Sequence, residues 1–199
     1  MPGHGGLKNL NRWTRAWSTH NDGANVAGIA VRERPTGSTL VEAKVKRQTL
    51  RKLSNGVYVL TARCADRYGA ATVSWVSQAS FKPPLLMAAI RRESNVFRCL
   101  SESGSAALHI VSDGQLEIAR RFFFPTDAGG ETLNGEPFAL GRTAAPILTN
   151  LPAHIECEVE QIIDTNGDHA LVILRVVEAE CRTQFRPLTI ADSPWEYGG

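Results

Sequence analysis

The chain reads as a mainly β protein with a few helices, an α+β domain whose strands close into a small antiparallel barrel. Three observations predict this. Runs rich in β-branched and aromatic residues recur from Val57 onward, as in VYVLTAR, AALHIVS, HIECEVEQII and HALVILRVVEAE. Turn residues separate them at short spacing, with Asn166-Gly167 marking a hairpin. Helical patterns are few and short, so six or seven strands must dispose of their edges, and closure into a barrel does so.

Residues 1–46 are rich in Gly, Asn, Thr and Arg and show no sustained period, so they read as a poorly ordered basic leader or arm. At most a short helix surrounds Leu10–Trp17, where Trp13 and Trp17 share a face that can pack on a partner. The domain proper is expected over 47–199. TLRKLSNG ends in Asn-Gly as a helix stop, VYVLTAR is a strand, and DRYG turns into the stretch 69–84. LLMAAI, a continuous apolar run, predicts a strand covered on both faces. Ser94 caps NVFRCLSESG, which Gly104 closes. AALHIVS is a further strand. Ser112 or Asp113 then caps QLEIARRFF, with Leu116, Ala119, Phe122 and Phe123 on one face. Residues 124–146 form a long loop of the kind that serves as a lid. HIECEVEQII sets His154, Glu156, Glu158 and Glu160 toward water against Ile155, Cys157 and Val159. HALVILRVVEAE pairs with it across the DTNGD turn, and FRPLTI is a last short strand.

Composition excludes several classes. The chain has 199 residues, 43% hydrophobic and 21% charged, with net charge +2, which is ordinary for one globular domain and gives no reason to expect nucleic acid. Residues 1–47 hold eight Lys/Arg against three Asp/Glu, leaving the remainder mildly acidic. No apolar run is long enough for a membrane span, and the N-terminus lacks the apolar region of a secretory signal. Cys64, Cys99, Cys157 and Cys181 are widely spaced, so they read as reduced thiols of a cytoplasmic protein rather than zinc ligands. The five histidines form no metal motif, and GxSxG, P-loop and GxGxxG are absent.

The informative stretch is GAATVSWVSQASFKPP (69–84), which carries Thr72, Ser74, Ser77, Gln78 and Ser80 with no ionisable side chain before Lys82. Thr72 and Ser74 fall on one face, Val73 and Trp75 on the other, and the phase slips after Trp75 as at a bulge or turn. Neutral hydroxyls and an amide on a bending backbone suit a polar, uncharged ligand; a half-exposed strand with hydroxyls in water is the plainer alternative. Downstream, Arg91 and Arg92 end the LLMAAI strand, and Ser94-Asn95 open a helix. Two guanidiniums, a hydroxyl and helix N–H groups make an anion site.

SNGVYVLTAR (54–63), GAATVSWVSQASFKPPLLMAAIRRESNVF (69–97), SAALHIVSDGQLEIARRFF, PAHIECEV and Gly167-Asp168-His169 together resemble the flavin reductase-like family over roughly residues 48–190. The SWVSQASF wording is most similar to the flavin reductase domain at the C-terminus of cyanobacterial diflavin flavoproteins. The resemblance implies an FMN-binding split β-barrel and an NAD(P)H:flavin oxidoreductase, a homodimer with FMN near the subunit interface. It implies that Thr72, Val73, Ser74, Trp75, Ser77, Gln78, Ala79 and Ser80 lie along the ring and ribityl chain. Arg92, Ser94 and Asn95 would hold the phosphate, and Gly167, Asp168 and His169 would line the nicotinamide side. Trp75 replaces the small hydroxylic residue commonest in the family, and a core position is expected for it. Phe122 and Phe123 are candidates for the floor of the same pocket.

The expected activity is hydride transfer from NADH or NADPH to FMN, with FAD as an alternative. Reduced flavin would pass to oxygen, a ferric complex, a partner oxygenase or another redox protein. With the cofactor supplying the chemistry, no catalytic side chain is assigned. Two other classes stay open: an FMN-binding electron-transfer module that works only with a separate partner, and a non-catalytic flavin binder.

Overall fold

The computed structural model describes residues 43–196, so most of the leader expected over residues 1–46, with Trp13 and Trp17, lies outside the described residues. The described chain opens on helix α1 (Ala43–Leu50), an exposed helix with no buried residue, which crosses the boundary expected between residues 46 and 47.

Seven strands form the main sheet: β1 (Tyr58–Cys64), β2 (Arg67–Val73), β3 (Val76–Phe81), β4 (Pro84–Arg91), β5 (Ser105–Ile110), β10 (Ala153–Ile163) and β11 (His169–Cys181). Their order is β2-β1-β5-β10-β11-β4-β3, all antiparallel. The two outermost strands, β2 and β3, are consecutive in the chain and joined only by Ser74 and Trp75. The curled sheet is therefore a split barrel, and the split falls where the sequence period slips.

Helix α2 (Asn95–Ser103) packs on β1 and β2 and closes one side of the core, where Val96, Cys99 and Leu100 meet Leu60, Ala62, Ile90 and Leu174. Its ends are those read from sequence. Ser94 Oγ accepts the Phe97 N–H at 3.2 Å, and Gly104 adopts φ 71° and returns its N–H to Leu100. Helix α3 (Leu116–Arg121) follows a 3₁₀ turn over Asp113–Gln115. It covers a second apolar cluster formed by Val57, Val59, Val111, Phe122, Leu148 and Leu188.

Several expectations are corrected. The segment 124–146 is not a structureless loop. It folds as β6 (Ala128–Gly129), β7 (Thr132–Leu133) and β8 (Glu136–Leu140), which with β9 (Pro146–Leu148) make a four-stranded sheet. Strand β4 is buried on one face only: Leu86, Ala88 and Ile90 point inward while Met87 and Arg91 point out. His154 and Glu156 are buried rather than solvated: His154 lies against the His109 ring, and the turn after Leu140 folds over Glu156. Glu156 accepts the backbone N–H groups of Arg142 (3.1 Å) and Thr143 (2.7 Å) and the Thr143 hydroxyl (2.8 Å). These bonds hold its carboxyl below the ordinary range although burial opposes them. Asn166 alone has positive φ (55°) in a five-residue connection, so the β10–β11 turn is not of the two-residue type. FRPLTI contributes only the isolated bridges Ser112–Pro187 and Gly56–Thr189. No helix among the described residues is long and apolar enough to cross a membrane.

Candidate functional site

A cavity of about 940 Å³ opens over the split. One wall is the end of β2 and the link, Ala70 through Trp75, and the opposite wall is Ala89–Arg91 with the start of α2. Phe122–Thr126 and the C-terminal Ile190–Glu196 close the remaining side.

The walls are held by specific bonds. Thr72 donates its hydroxyl to the Ala119 carbonyl (2.6 Å) and its backbone N–H to the Phe122 carbonyl (3.1 Å). Thr126 Oγ1 exchanges bonds with the Ala70 N–H (2.9 Å) and carbonyl (3.2 Å). The segment from Ala119 to Thr126 is thereby stitched along the open edge of β2, and Phe122, Phe123 and Phe124 are delivered to the cavity. At the link, the Trp75 carbonyl accepts the Ala89 N–H (2.9 Å), and Ser74 turns inward, 4% exposed. Ser74 Oγ is the one buried side-chain polar atom among the described residues with no hydrogen-bond partner. A buried hydroxyl left unpaired costs about 1–3 kcal/mol.

Trp75 is not in the core. It is 38% exposed and lies against the His169 ring, with centroids 4.8 Å apart. His169 Nδ1 sits 2.8 Å from Asp168 Oδ1, which orients the imidazole and draws the aspartate's pKa down through that bond. Of the glycine, aspartate and histidine at 167–169, only His169 reaches the cavity wall.

Arg92 lies outside the cavity lining. It bolts the β10–β11 turn instead, reaching the Gly167 carbonyl (3.1 Å) and Asp164 (2.5 Å), with its backbone N–H on the Asp168 carbonyl (3.2 Å). Arg91, one residue earlier on the outward face of β4, lines the cavity beside Ser94 and Asn95. The Ser94 hydroxyl is committed, donating to the Arg91 carbonyl (2.7 Å) while it caps α2, so it shapes the helix mouth. That mouth abuts β2 because residue 69 is glycine: a Cβ there would stand 2.5 Å from the Val96 Cα.

Ser77, Gln78, Ala79 and Ser80 fall on β3, the edge strand beyond the link, and do not line the cavity. Thr72, Val73, Ser74 and Trp75 do. Phe124, Thr126 and Trp195 were not singled out from sequence. They arrive through long-range contacts, such as the Phe123–Trp195 edge contact at 4.7 Å, that no local pattern signals. No cluster of three or more His, Cys, Asp or Glu that suits a metal occurs among the described residues.

The residues fit a flavin with a phosphate tail. Ser74 and the Trp75–His169 aromatic pair share its lining with Arg91, the cross-strand neighbour of His169, and the first N–H groups of a nine-residue helix. The volume falls in the range of cofactor sites.

Comparison with known proteins agrees. The family model described as "Flavin reductase like domain" matches residues 50–195. Diflavin flavoprotein A 1 of Synechocystis is 31% identical over 128 residues, 63% of this chain and 22% of that protein. Flavin reductase (NADH) of Kitasatospora aureofaciens is 35% identical over 128 residues, covering 63% of this chain and 65% of that protein. The chain spans only about a quarter of the length of the diflavin relatives, 25% and 22% for two from Synechocystis. In fold it is similar to the NADH:FAD oxidoreductase of Streptomyces globisporus, with a TM-score of 0.64 at 21% identity over 77% of this chain and 87% of that one.

Proposed function

From the premise that this chain belongs to the flavin reductase-like domain family and is an oxidoreductase, we propose that it is a cytoplasmic NAD(P)H-dependent flavin reductase with FMN, or FAD, in the cavity over the barrel split. The observation that carries the placement is the cavity itself, with the neutral stretch Thr72–Trp75 on one wall and Arg91 and the start of α2 on the other. Bound flavin supplies the chemistry, accepting a hydride from the reduced nicotinamide. The protein's share is orientation and exclusion of water. Ser74 and the backbone of Thr72–Trp75 hold the ring edge. Arg91 and the N–H groups at Asn95 and Val96 hold the phosphate, with Ser94 fixing their geometry. His169, clamped by Asp168 and by the turn that Arg92 bolts, faces the nicotinamide with Trp75 beside it.

Two variants test this placement. Ser74→Ala should raise the melting temperature of the ligand-free protein, by relieving about 1 kcal/mol of unpaired burial, while weakening flavin binding about fivefold. A variant no more stable than the parent, with unchanged flavin affinity, removes Ser74 from the site. Arg91→Glu should raise the Kd for FMN at least about tenfold and leave riboflavin, which lacks the phosphate, nearly unaffected. Equal weakening of both ligands would take Arg91 out of that role.

We place a homodimer contact on the outer face of β4 and β11. There Met87 opposes Ile173 and Ala89 opposes Leu171, with Ile163 alongside, an apolar surface beside Trp75 and the cavity. A second reading follows from the diflavin relatives, of which this chain matches only a part: the FMN domain would serve a separate redox partner or oxygenase. Oxidation of NADH on addition of flavin alone supports the reductase; turnover that requires a partner supports the module. A protein that neither yellows with flavin nor oxidises NADH or NADPH overturns both.

A further inference from the structure

Two of the four cysteines meet in the core. Cys64 ends β1 and Cys99 lies mid-way along α2, 35 residues apart in the chain, and their sulfurs stand 2.7 Å apart as free thiols. That separation is about 0.7 Å beyond the roughly 2.05 Å of a formed S–S bond. Both side chains are fixed by packing, Cys64 against the barrel and Cys99 between Val96 and Leu100. No rearrangement of strand or helix is needed to bring them together. We propose that Cys64 and Cys99 are a reversible dithiol–disulfide modification site, oxidised by peroxide, that staples α2 to β1.

The surroundings allow this chemistry. The pair lies beside the exposed Arg67–Glu102 ion pair (2.5 Å), and the Arg67 carbonyl is 3.8 Å from Cys99 Sγ. The Arg67 charge favours a thiolate at Cys99, although burial dominates and pushes that thiol up to about 12. Little thiolate forms at Cys99, so the reaction is slow. Peroxide gives one oxygen to Cys64, forming a sulfenic acid and releasing one water. Cys99 sulfur then displaces the second water as the S–S bond forms. Two thiols and one hydrogen peroxide become one disulfide and two waters, with two electrons passing from sulfur to peroxide. Cys157 and Cys181 take no part: Cys157 is buried elsewhere in the barrel, and Cys181 is exposed at the end of β11.

The inference does not depend on the flavin reading, and its test uses the full chain without ligand. The protein is treated with hydrogen peroxide, quenched, denatured, alkylated, and examined by intact mass and peptide mapping. The expected result is loss of two of the four alkylatable thiols, with one cross-linked peptide pair containing residues 64 and 99, all restored by dithiothreitol. Before denaturation the oxidised protein should melt about 5–10 °C higher than the reduced protein. Cys64→Ser should abolish the cross-link without affecting alkylation of Cys181. Should that variant fail to fold, the mapping of the parent protein decides alone. Four thiols still alkylatable, a cross-link between chains through Cys181, or sulfinic acid at either core cysteine in place of the disulfide would overturn the proposal.

Discussion

Replacing Gly69 with valine should destabilise the protein by about 3 kcal/mol and abolish tight flavin binding in the same step. The glycine sits on β2 where α2 begins, and a Cβ would lie 2.5 Å from the Val96 Cα and 2.6 Å from both the Val96 nitrogen and the Asn95 carbonyl oxygen. All three are backbone atoms, so no rotamer change relieves the clash and the helix itself must move. Overpacking of this kind typically costs 1–3 kcal/mol, and branching at Cβ places Gly69→Val at the upper end. The first turn of α2 also forms the cationic mouth with Arg91, so its displacement removes the phosphate contacts that the proposed site depends on. Urea denaturation measures the first effect and flavin titration the second. A variant that loses less than about 1 kcal/mol would show that β2 and α2 can separate without strain.

Acid should unfold the protein through His109. The imidazole is fully buried. Nδ1 donates to the Val59 carbonyl at 3.0 Å, and Nε2 accepts the Leu148 N–H at 2.9 Å, which fixes the neutral tautomer. Burial, which outweighs the opposing Val59 bond and is aided by the nearby Arg182 charge, lowers its pKa from 6.5 to about 3. The unfolded chain takes up this proton below pH 6.5 while the folded chain refuses it until about pH 3. The stabilisation is therefore complete above pH 6.5 and is lost as pH falls, at about 1.4 kcal/mol per unit. By pH 4.5 the loss reaches roughly 2.5 kcal/mol. Denaturation curves between pH 7 and pH 4.5 measure it. His109→Leu should be less stable at pH 7, since it leaves the Val59 carbonyl and the Leu148 N–H unpaired, but its profile should be flatter across that range. Parallel profiles for parent and variant would assign the acid sensitivity to other groups.

Much of this was legible in the residues. The bounds of α2 follow from Ser94 and Gly104, whose chemistry is local to each helix end. The barrel strands follow from their composition, and the split from the phase slip after Trp75. The site was legible in halves. Thr72–Trp75 were found because their alternation is regular, but Ser77–Ser80 were grouped with them although they lie across the split on an edge strand. Arg91 and Arg92 could have been told apart by period. Counting back from Arg91, Ala89, Met87 and Leu85 share its face, but the doubled letters in LLMAAI hide that alternation. Glu156 looked solvated because nothing in β10 foretells the turn that covers it, and His154 because nothing there foretells its place against His109. Phe124, Thr126 and Trp195 come from distant segments, and only the folded chain brings them to one place.

The link at Ser74–Trp75 has a bearing on how the molecule comes apart. It joins the two outermost strands of the main sheet directly, and the cavity lies over it. A molecule lodged there acts as mortar in an open joint, touching both borders at once. Thermal disassembly should begin at this joint when it is vacant and elsewhere when it is filled.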